Sequence, residues 1–502
     1  MRLSKKYKTV RCFLCLTVLL LSKDCLPQGY NSTFLLGYNA KARMSFTDTS
    51  YFIIPETRTI SFDNAQANIS DENGNILMSS NGVFIADATG NTMSNGGGLN
   101  PSQAVNDFPS GLPFPYADII LPMPDDSTKY VLFHQTFDFN SGYSPQVFYS
   151  IADFSFSNFG IVLSKNNIAA SGLFSTGLAA CRHANGRDWW IVCLSKFATE
   201  IHTFLLTPNL ISYMGSQNFP LISFSPYGFS GQPSFSPDGE KFAFAGSYGI
   251  NGTNYLSCVS LFDFDRCSGI FSLDTVIDFS DNYISFATAF SPNSKYLYFA
   301  SVKYIYQYDT DSFGLIPHQL VAINDSFPSP SPPFYTDFFM MYLAANGKIY
   351  VSSGSSVKHL HEMNYPDSSG VACGVQLHNV YTGVFFVGVP NHPNYYLGCD
   401  TTQTTCPCLI TGINEIKQHD FRFSISPNPN NGNFKIVYLL PQNKSGILQI
   451  FDITGKQIYK QNLPQWSTLQ YISLPKIANG VYQCVISGGN ERVHKKLVVF
   501  KE

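Results

Sequence analysis

Residues Ser234–Gly246 read SFSPDGEKFAFAG, and Ala289–Ser301 read AFSPNSKYLYFAS. Both stretches run from a short apolar segment through a turn into an aromatic strand. The same plan recurs along the chain. Asn73-Gly74 precedes NILMSS, Ser127-Thr128 precedes KYVLFHQ, Asn185-Gly186 precedes RDWWIVC, and Asn346-Gly347 precedes KIYVSS. Counted on the second turn residue, the five spacings between the six turns are 54, 58, 53, 55 and 53 residues. Each copy is expected to be a β-hairpin, with Asn-Gly or Asp-Gly supplying the positive φ of a primed turn.

A period near 40–55 residues with several strands per unit is the mark of a β-propeller blade. One four-stranded sheet cannot bury both faces by itself, so sheets stack around an axis and cover one another. The expected fold class is all-β: a β-propeller followed by a small Ig-like β-sandwich. Seven blades are preferred, with six or eight as alternatives; the seventh is expected from 371–398 together with a strand near 33–37. An array of two-sheet sandwiches is the rival, and the near-constant spacing speaks against it.

Composition agrees. The 502 residues are 15% aromatic but only 13% charged, about half the usual charged fraction. The 43 Phe and 29 Tyr, with abundant Gly and Pro, suit short strands and tight turns better than long helices. Residues 28–419 hold 15 Lys+Arg against 29 Asp+Glu, while 420–502 hold 10 against 4. An acidic body argues against nucleic acid as a partner.

The first twelve residues, MRLSKKYKTVRC, carry five bases and no acid, and FLCLTVLLL follows. That apolar run is short for a bilayer span and fits an export signal cut between Ser22 and Gly29. The domain reading is a signal peptide at 1–27, a propeller at 28–410, a linker at 411–420 and a terminal sandwich at 421–502. No transmembrane segment is expected after cleavage. Export permits disulfides among the remaining cysteines, with Cys484 the expected spare thiol.

The string FSPDGEKFAFAG resembles the WD-like repeats of bacterial TolB-type propellers. HANGRDWWIVC, FDFDRCSG and PNHPNYYLG resemble a group of secreted propeller proteins of Bacteroidetes. The tail is similar to the type A C-terminal sorting domain of the type IX secretion system. The matching residues are Pro427, Asn428 and Pro429 with Gly432, then Asp452 with Gly455 and Lys456. Asn479, Gly480, Val481 and Tyr482 follow, then Lys496–Val499 and Lys501. The resemblance implies the type IX machinery as a partner and delivery across the outer membrane, to the medium or the cell surface.

No catalytic set stands out. Gly228-Phe229-Ser230-Gly231 is one residue short of a nucleophile elbow. Repeated sialidase-type Asp-box turns are missing, and Gly96–Gly98 lacks the strand-to-helix context of a phosphate loop. In KHLHEM, His359 and His361 share a strand face and are candidate metal ligands without an identifiable third; no metal or other cofactor is expected. Trp189 and Trp190 face opposite ways, so one indole is a candidate ligand platform, against packing for both. Asp263, Asp265 and Asp281 read as solvated turn acids rather than calcium ligands. The expected function is an exported, non-enzymatic propeller that binds a glycan, peptide or protein. The alternatives are a polysaccharide hydrolase or lyase with its acid/base pair split between blades, or a structural surface component.

Overall fold

The computed structural model describes residues 29–501 except 39–40, 48, 72–73, 220–229, 250–254, 280, 313–316, 330–333, 403–404, 410–422, 439, 441–444, 465–468 and 489–490. The expected signal peptide and linker lie outside the described residues. The chain divides into two units, Met1–Ile410 and Thr411–Glu502.

All six repeated turns join antiparallel strands. Their geometry corrects the expected turn type. In five of them the second marked residue has positive φ, Gly74, Gly186, Gly239, Ser294 and Gly347 lying between 62° and 81°, and Asn185, Asp238, Asn293 and Asn346 before the last four do not. Each positive-φ residue donates its N–H to the carbonyl three residues back, as Gly239 does to Ser236 (2.8 Å) and Gly347 to Ala344 (2.9 Å). This is a type I turn closed by a left-handed residue, not a primed two-residue turn. The Asn or Asp before it caps the turn from its side chain: Asp238 Oδ1 accepts from Glu240 N (3.0 Å) and Asn293 Oδ1 from Lys295 N (3.1 Å).

The first unit is a propeller-like fold of small antiparallel sheets. Ala67–Ser70 opens a run of four antiparallel strands that one parallel pairing, Ile161 with Ser94, joins to a larger sheet, while Ser230–Phe235, Ser285–Phe290 and Met341–Leu343 each open a four-stranded sheet. The 22-residue strand Ile161–Arg182 is the last strand of the sheet opened by Asp118–Pro122. Beyond Phe174 it is also the first strand of the sheet that holds Trp189–Ser195. Thr33–Leu36, Ala42–Phe46 and Tyr51–Pro55 form a separate three-stranded sheet. The expected seventh blade is therefore corrected: Val375–Phe386 closes the sheet opened by Met341–Leu343, and residues 388–398 belong to no sheet.

Sheets bury their faces against one another. Val259 and Leu261 meet Leu297 and Phe299 of the next sheet, whose Tyr298 and Ile305 meet Ile349 and Val351 of the one after. Phe34 and Met44 pack on Tyr350 and Leu360. Each such side chain, fully buried, contributes about 1.5–3 kcal/mol. The strand Tyr296–Ser301 is buried at every position, as expected where both faces are covered.

The second unit is a sandwich of a three-stranded and a four-stranded sheet. Asn433–Tyr438 alternates exposed and buried, and its inward residues Phe434, Ile436 and Tyr438 pack against Leu448, Ile450, Ile486 and Leu497. Among the described residues no helix is long and apolar enough to cross a membrane.

Candidate functional site

The opening strands of the propeller-like unit enclose a space, and residues 388–398 run through it. Asn391 Nδ2 donates to Leu178 O (2.7 Å), Asn394 Nδ2 to Pro237 O (2.7 Å) and Tyr395 OH to Ile120 O (2.8 Å). Val389 N donates to Tyr342 OH (3.4 Å). His392 Nε2 lies 2.6 Å from Asn68 O. A carbonyl only accepts, so Nε2 carries the proton, and burial holds this imidazole neutral by pushing its pKa down to about 4. One segment thus satisfies the backbones of several sheets at once, which requires it to lie near their common axis.

The exit of this plug is fastened. Arg266 is 8% exposed and donates from Nε to Arg182 O (3.0 Å) and from Nη2 to Gly398 O (2.5 Å). Disulfides Cys399–Cys408 and Cys267–Cys406 follow directly. The expectation of one spare thiol is corrected: Cys181, Cys193, Cys258, Cys373 and Cys484 are all free, each inside or beside a packed sheet with no second sulfur to meet.

Against the plug lies a cavity of about 640 Å³. Its polar lining is Gln232, Ser234, Thr288, Asn346, Asn391 and Asn394, with Phe34, Tyr116, Phe290 and Tyr342 among the aromatic walls. Among the described lining residues there is no Asp, Glu, Lys or Arg. Several of these groups are held in place: Gln232 Nε2 donates to Met341 O while its Oε1 accepts from Met341 N, and Ser234 Oγ pairs with Thr288 Oγ1 at 2.6 Å. Asn31 Oδ1 and His392 Nδ1, from two further lining residues, are buried acceptors without a partner among the described residues.

The sequence candidates lie elsewhere. Trp189 and Trp190 are both buried, at 0% and 2% exposure, so neither indole is open to a ligand. The reason is that both faces of their sheet are covered. The guanidinium of Arg182 sits 3.9 Å over Trp189, and Trp190 Nε1 donates to Arg266 O (2.8 Å). His359 and His361 are buried as well. His361 Nδ1 accepts from His378 N (3.0 Å), its Nε2 faces Asp337 O (3.2 Å), and burial pushes its pKa down to about 4. Glu362 is committed to Lys348 Nζ (2.7 Å) and Asn379 Nδ2 (2.8 Å). No grouping of three or more His, Cys, Asp or Glu near enough for a metal occurs among the described residues. Asp263 pairs with Lys241 (2.9 Å), and Asp281 Oδ2 accepts from Ser301 Oγ (2.6 Å). Gly96 and Gly97 end the strand Thr92–Gly97.

In the second unit several motif residues meet its last strand, Glu491–Val499, or the residues just after it. Asn428 Nδ2 donates to Lys496 O (2.7 Å), and Asn428 Oδ1 accepts from Val498 N (2.8 Å). Asn430 N donates to Val498 O (3.0 Å), and its carbonyl accepts from Phe500 N (2.8 Å). Asn479 clamps Lys501 in the same double fashion, and Lys501 Nζ donates to Ile477 O (2.6 Å). Gly432 has φ +97°, and a Cβ there would stand 2.7 Å from Leu474 O. Asp452 Oδ1 accepts from Thr454 Oγ1 (2.6 Å), Thr454 N and Lys456 N around Gly455 (φ +84°), and these bonds, the hydroxyl first, hold its carboxyl below the usual range. Tyr482 OH donates to Ala478 O (2.9 Å), Gly480 and Val481 pair with Val499 and Val498, Lys496 pairs with Gln483, and Pro427 and Pro429 flank Asn428.

Residues 424–500 match the family described as the secretion system C-terminal sorting domain. That match makes the protein a type IX cargo, delivered to the cell surface or the extracellular space. No curated protein matches the chain. Solved structures resemble it at low identity. A functionally unknown protein from Desulfotomaculum acetoxidans is 12% identical, covering 72% of this chain and 99% of its own, with a TM-score of 0.40. A protein from Lactobacillus plantarum is also 12% identical, over 79% and 95%, at 0.35. A hypothetical selenium-binding protein from Sulfolobus tokodaii is 11% identical, over 72% and 82%, at 0.37. At such scores none of the three bears on function.

Proposed function

We propose that this protein is an exported binding protein whose propeller-like unit receives an uncharged polar ligand in the axial cavity. The observation that carries the reading is the lining: amides, hydroxyls and aromatic walls, with no Asp, Glu, Lys or Arg among its described residues. Pockets of roughly 300–1,000 Å³ with a few oriented polar groups are the usual form of a ligand site. The rival hydrolase reading needs two carboxyl groups roughly 5–10 Å apart across the bond to be cut. Nothing in this cavity supplies them. Removal of the segment 1–27 on export and attachment or release at the surface belong to the same proposal.

The test is a melting curve of the full chain against soluble oligosaccharides and short peptides. A ligand at a hundredfold its Kd adds about 2.7 kcal/mol to the folded state. The expected outcome is a higher Tm with one uncharged ligand class, and loss of that rise in Ala345→Trp, which fills the cavity. A rise that survives Ala345→Trp would move the site out of the cavity. Turnover of the bound ligand would revive the enzyme.

A further inference from the structure

A second concavity, of about 410 Å³, lies at the other end of the same strands. Ser285–Phe290 and Met341–Leu343 run into the axial cavity at Phe290 and Leu343, whereas Tyr283 and Asp337, just before them, line this groove. Val302 and Lys303 of a turn, Asn324 and Ser326, the run Phe334–Thr336 and Ser355 complete it. The groove therefore sits between two neighbouring sheets.

Three aromatic side chains on its wall are held out to solvent: Tyr283 at 39%, Phe334 at 43% and Tyr335 at 52% exposure. Residues 324–329 and 334–336, the described arms of the segment that carries Phe334 and Tyr335, are bonded to each other. Ser329 N donates to Phe334 O (2.8 Å), Thr336 N to Phe327 O (2.9 Å), and Pro328 bridges Tyr335. The buried Asn324 ties both arms, its Nδ2 donating to Thr336 O (2.8 Å) and its Oδ1 accepting from Ser326 N (2.6 Å). Rings carried on a tied backbone need less ordering when something stacks on them.

The polar groups beside them are unspent. Lys303 Nζ donates to Asn324 O (2.5 Å), leaving two ammonium protons. Asp337 Oδ1 accepts from Gly354 N (2.6 Å), leaving Oδ2. Neither charge has an opposite charge within 4 Å among the described residues. Burial, only partly offset by the Gly354 bond, raises the Asp337 carboxyl above its ordinary range, as expected for a group short of donors.

We propose that this groove binds a saccharide chain. A pyranose ring offers an apolar C–H face to each aromatic ring and vicinal hydroxyls at its edge. Those hydroxyls donate to the Asp337 carboxylate and accept from Lys303, so one ligand satisfies both. A peptide that adds as a strand would need a free strand edge, and none lines the groove among the described residues.

The test uses the full-length protein in affinity gels and calorimetry with soluble β-glucan, xylan, mannan, galactan and chitin oligomers, and with a proline-rich peptide. One saccharide class is expected to bind. Tyr335→Ala and Phe334→Ala should each weaken it about tenfold or more. Both rings are exposed, so Tm should hold. Ala345→Trp, in the axial cavity, should leave this binding unchanged. Binding lost in Ala345→Trp but kept in Tyr335→Ala would overturn the groove and support the axial site. Binding of no saccharide, or of the peptide instead, would overturn the proposal while leaving the axial reading to its own melting test.

Discussion

The residues most sensitive to their surroundings are a few polar groups sealed between sheets. Asp118 is fully buried, takes a bond from Ser80 Oγ on one carboxyl oxygen, and leaves the other without a partner among the described residues. Burial pushes its pKa up to about 7. The folded state therefore keeps a proton that the unfolded chain gives up near pH 4, so this site costs stability progressively as pH rises from about 4 to about 7. His134 behaves oppositely. Its Nδ1 faces Asn100 Oδ1 (2.8 Å) and its Nε2 faces Ser150 Oγ (2.9 Å), and burial pushes its pKa down to about 3. With His361 and His392 it makes the fold lose stability as pH falls from about 6.5 toward 4. Asp118→Asn separates the two trends. It should match the wild type at pH 4 and be more stable by on the order of a few kcal/mol at pH 8, read from denaturant midpoints. A difference that does not change with pH would refute the buried-proton account. None of this is legible in sequence, because Asp118 and His134 sit in strands whose letters do not reveal that both faces are covered.

At the level of the element, the six hairpins were legible because a turn is chemically local. Their fine geometry was not. Gly239 shows why: φ is +75°, and a Cβ would lie 2.6 Å from Cys181 Sγ and 2.7 Å from Leu397 Cδ2. The left-handed backbone is a local demand, which Ser294 meets at φ +62° in the sister turn. The close approach is a tertiary demand, because Leu397 comes from the plug. Gly239→Ala should therefore cost about 2 kcal/mol or more, beyond the 1–2 kcal/mol of a left-handed alanine alone. A Tm within a degree of the wild type would show that the plug gives way freely. In the terminal sandwich the motif residues were found in order, but their shared purpose was not visible. Asn428 and Asn479 use their amides as if they were backbone, pairing with strand residues 68–70 and 22 positions away.

For the whole molecule, the sorting domain lies in the second unit and both proposed binding sites in the first. Deleting 420–502 should leave the protein in the periplasm, detected by fractionation and surface proteolysis. The truncated form in the medium would refute the sorting role. The sequence by itself determined what depends on neighbours along the chain. It specified the hairpin period, the all-β class, the terminal sandwich with its sorting signature, and the low charge of a body built from stacked sheets. These follow from turn chemistry and strand alternation within about fifteen residues. The tertiary structure alone decided which aromatics are spent on packing and which stay open. Trp189 and Trp190 disappear between covered faces, while Phe334 and Tyr335 are held out. It alone decided that PNHPNYYLG is an axial plug rather than a blade, and that Cys267 finds Cys406 across 139 residues. Closing sheets around an axis brings residues from every repeat to one place. That convergence depends on ring geometry, which no local stretch of sequence encodes.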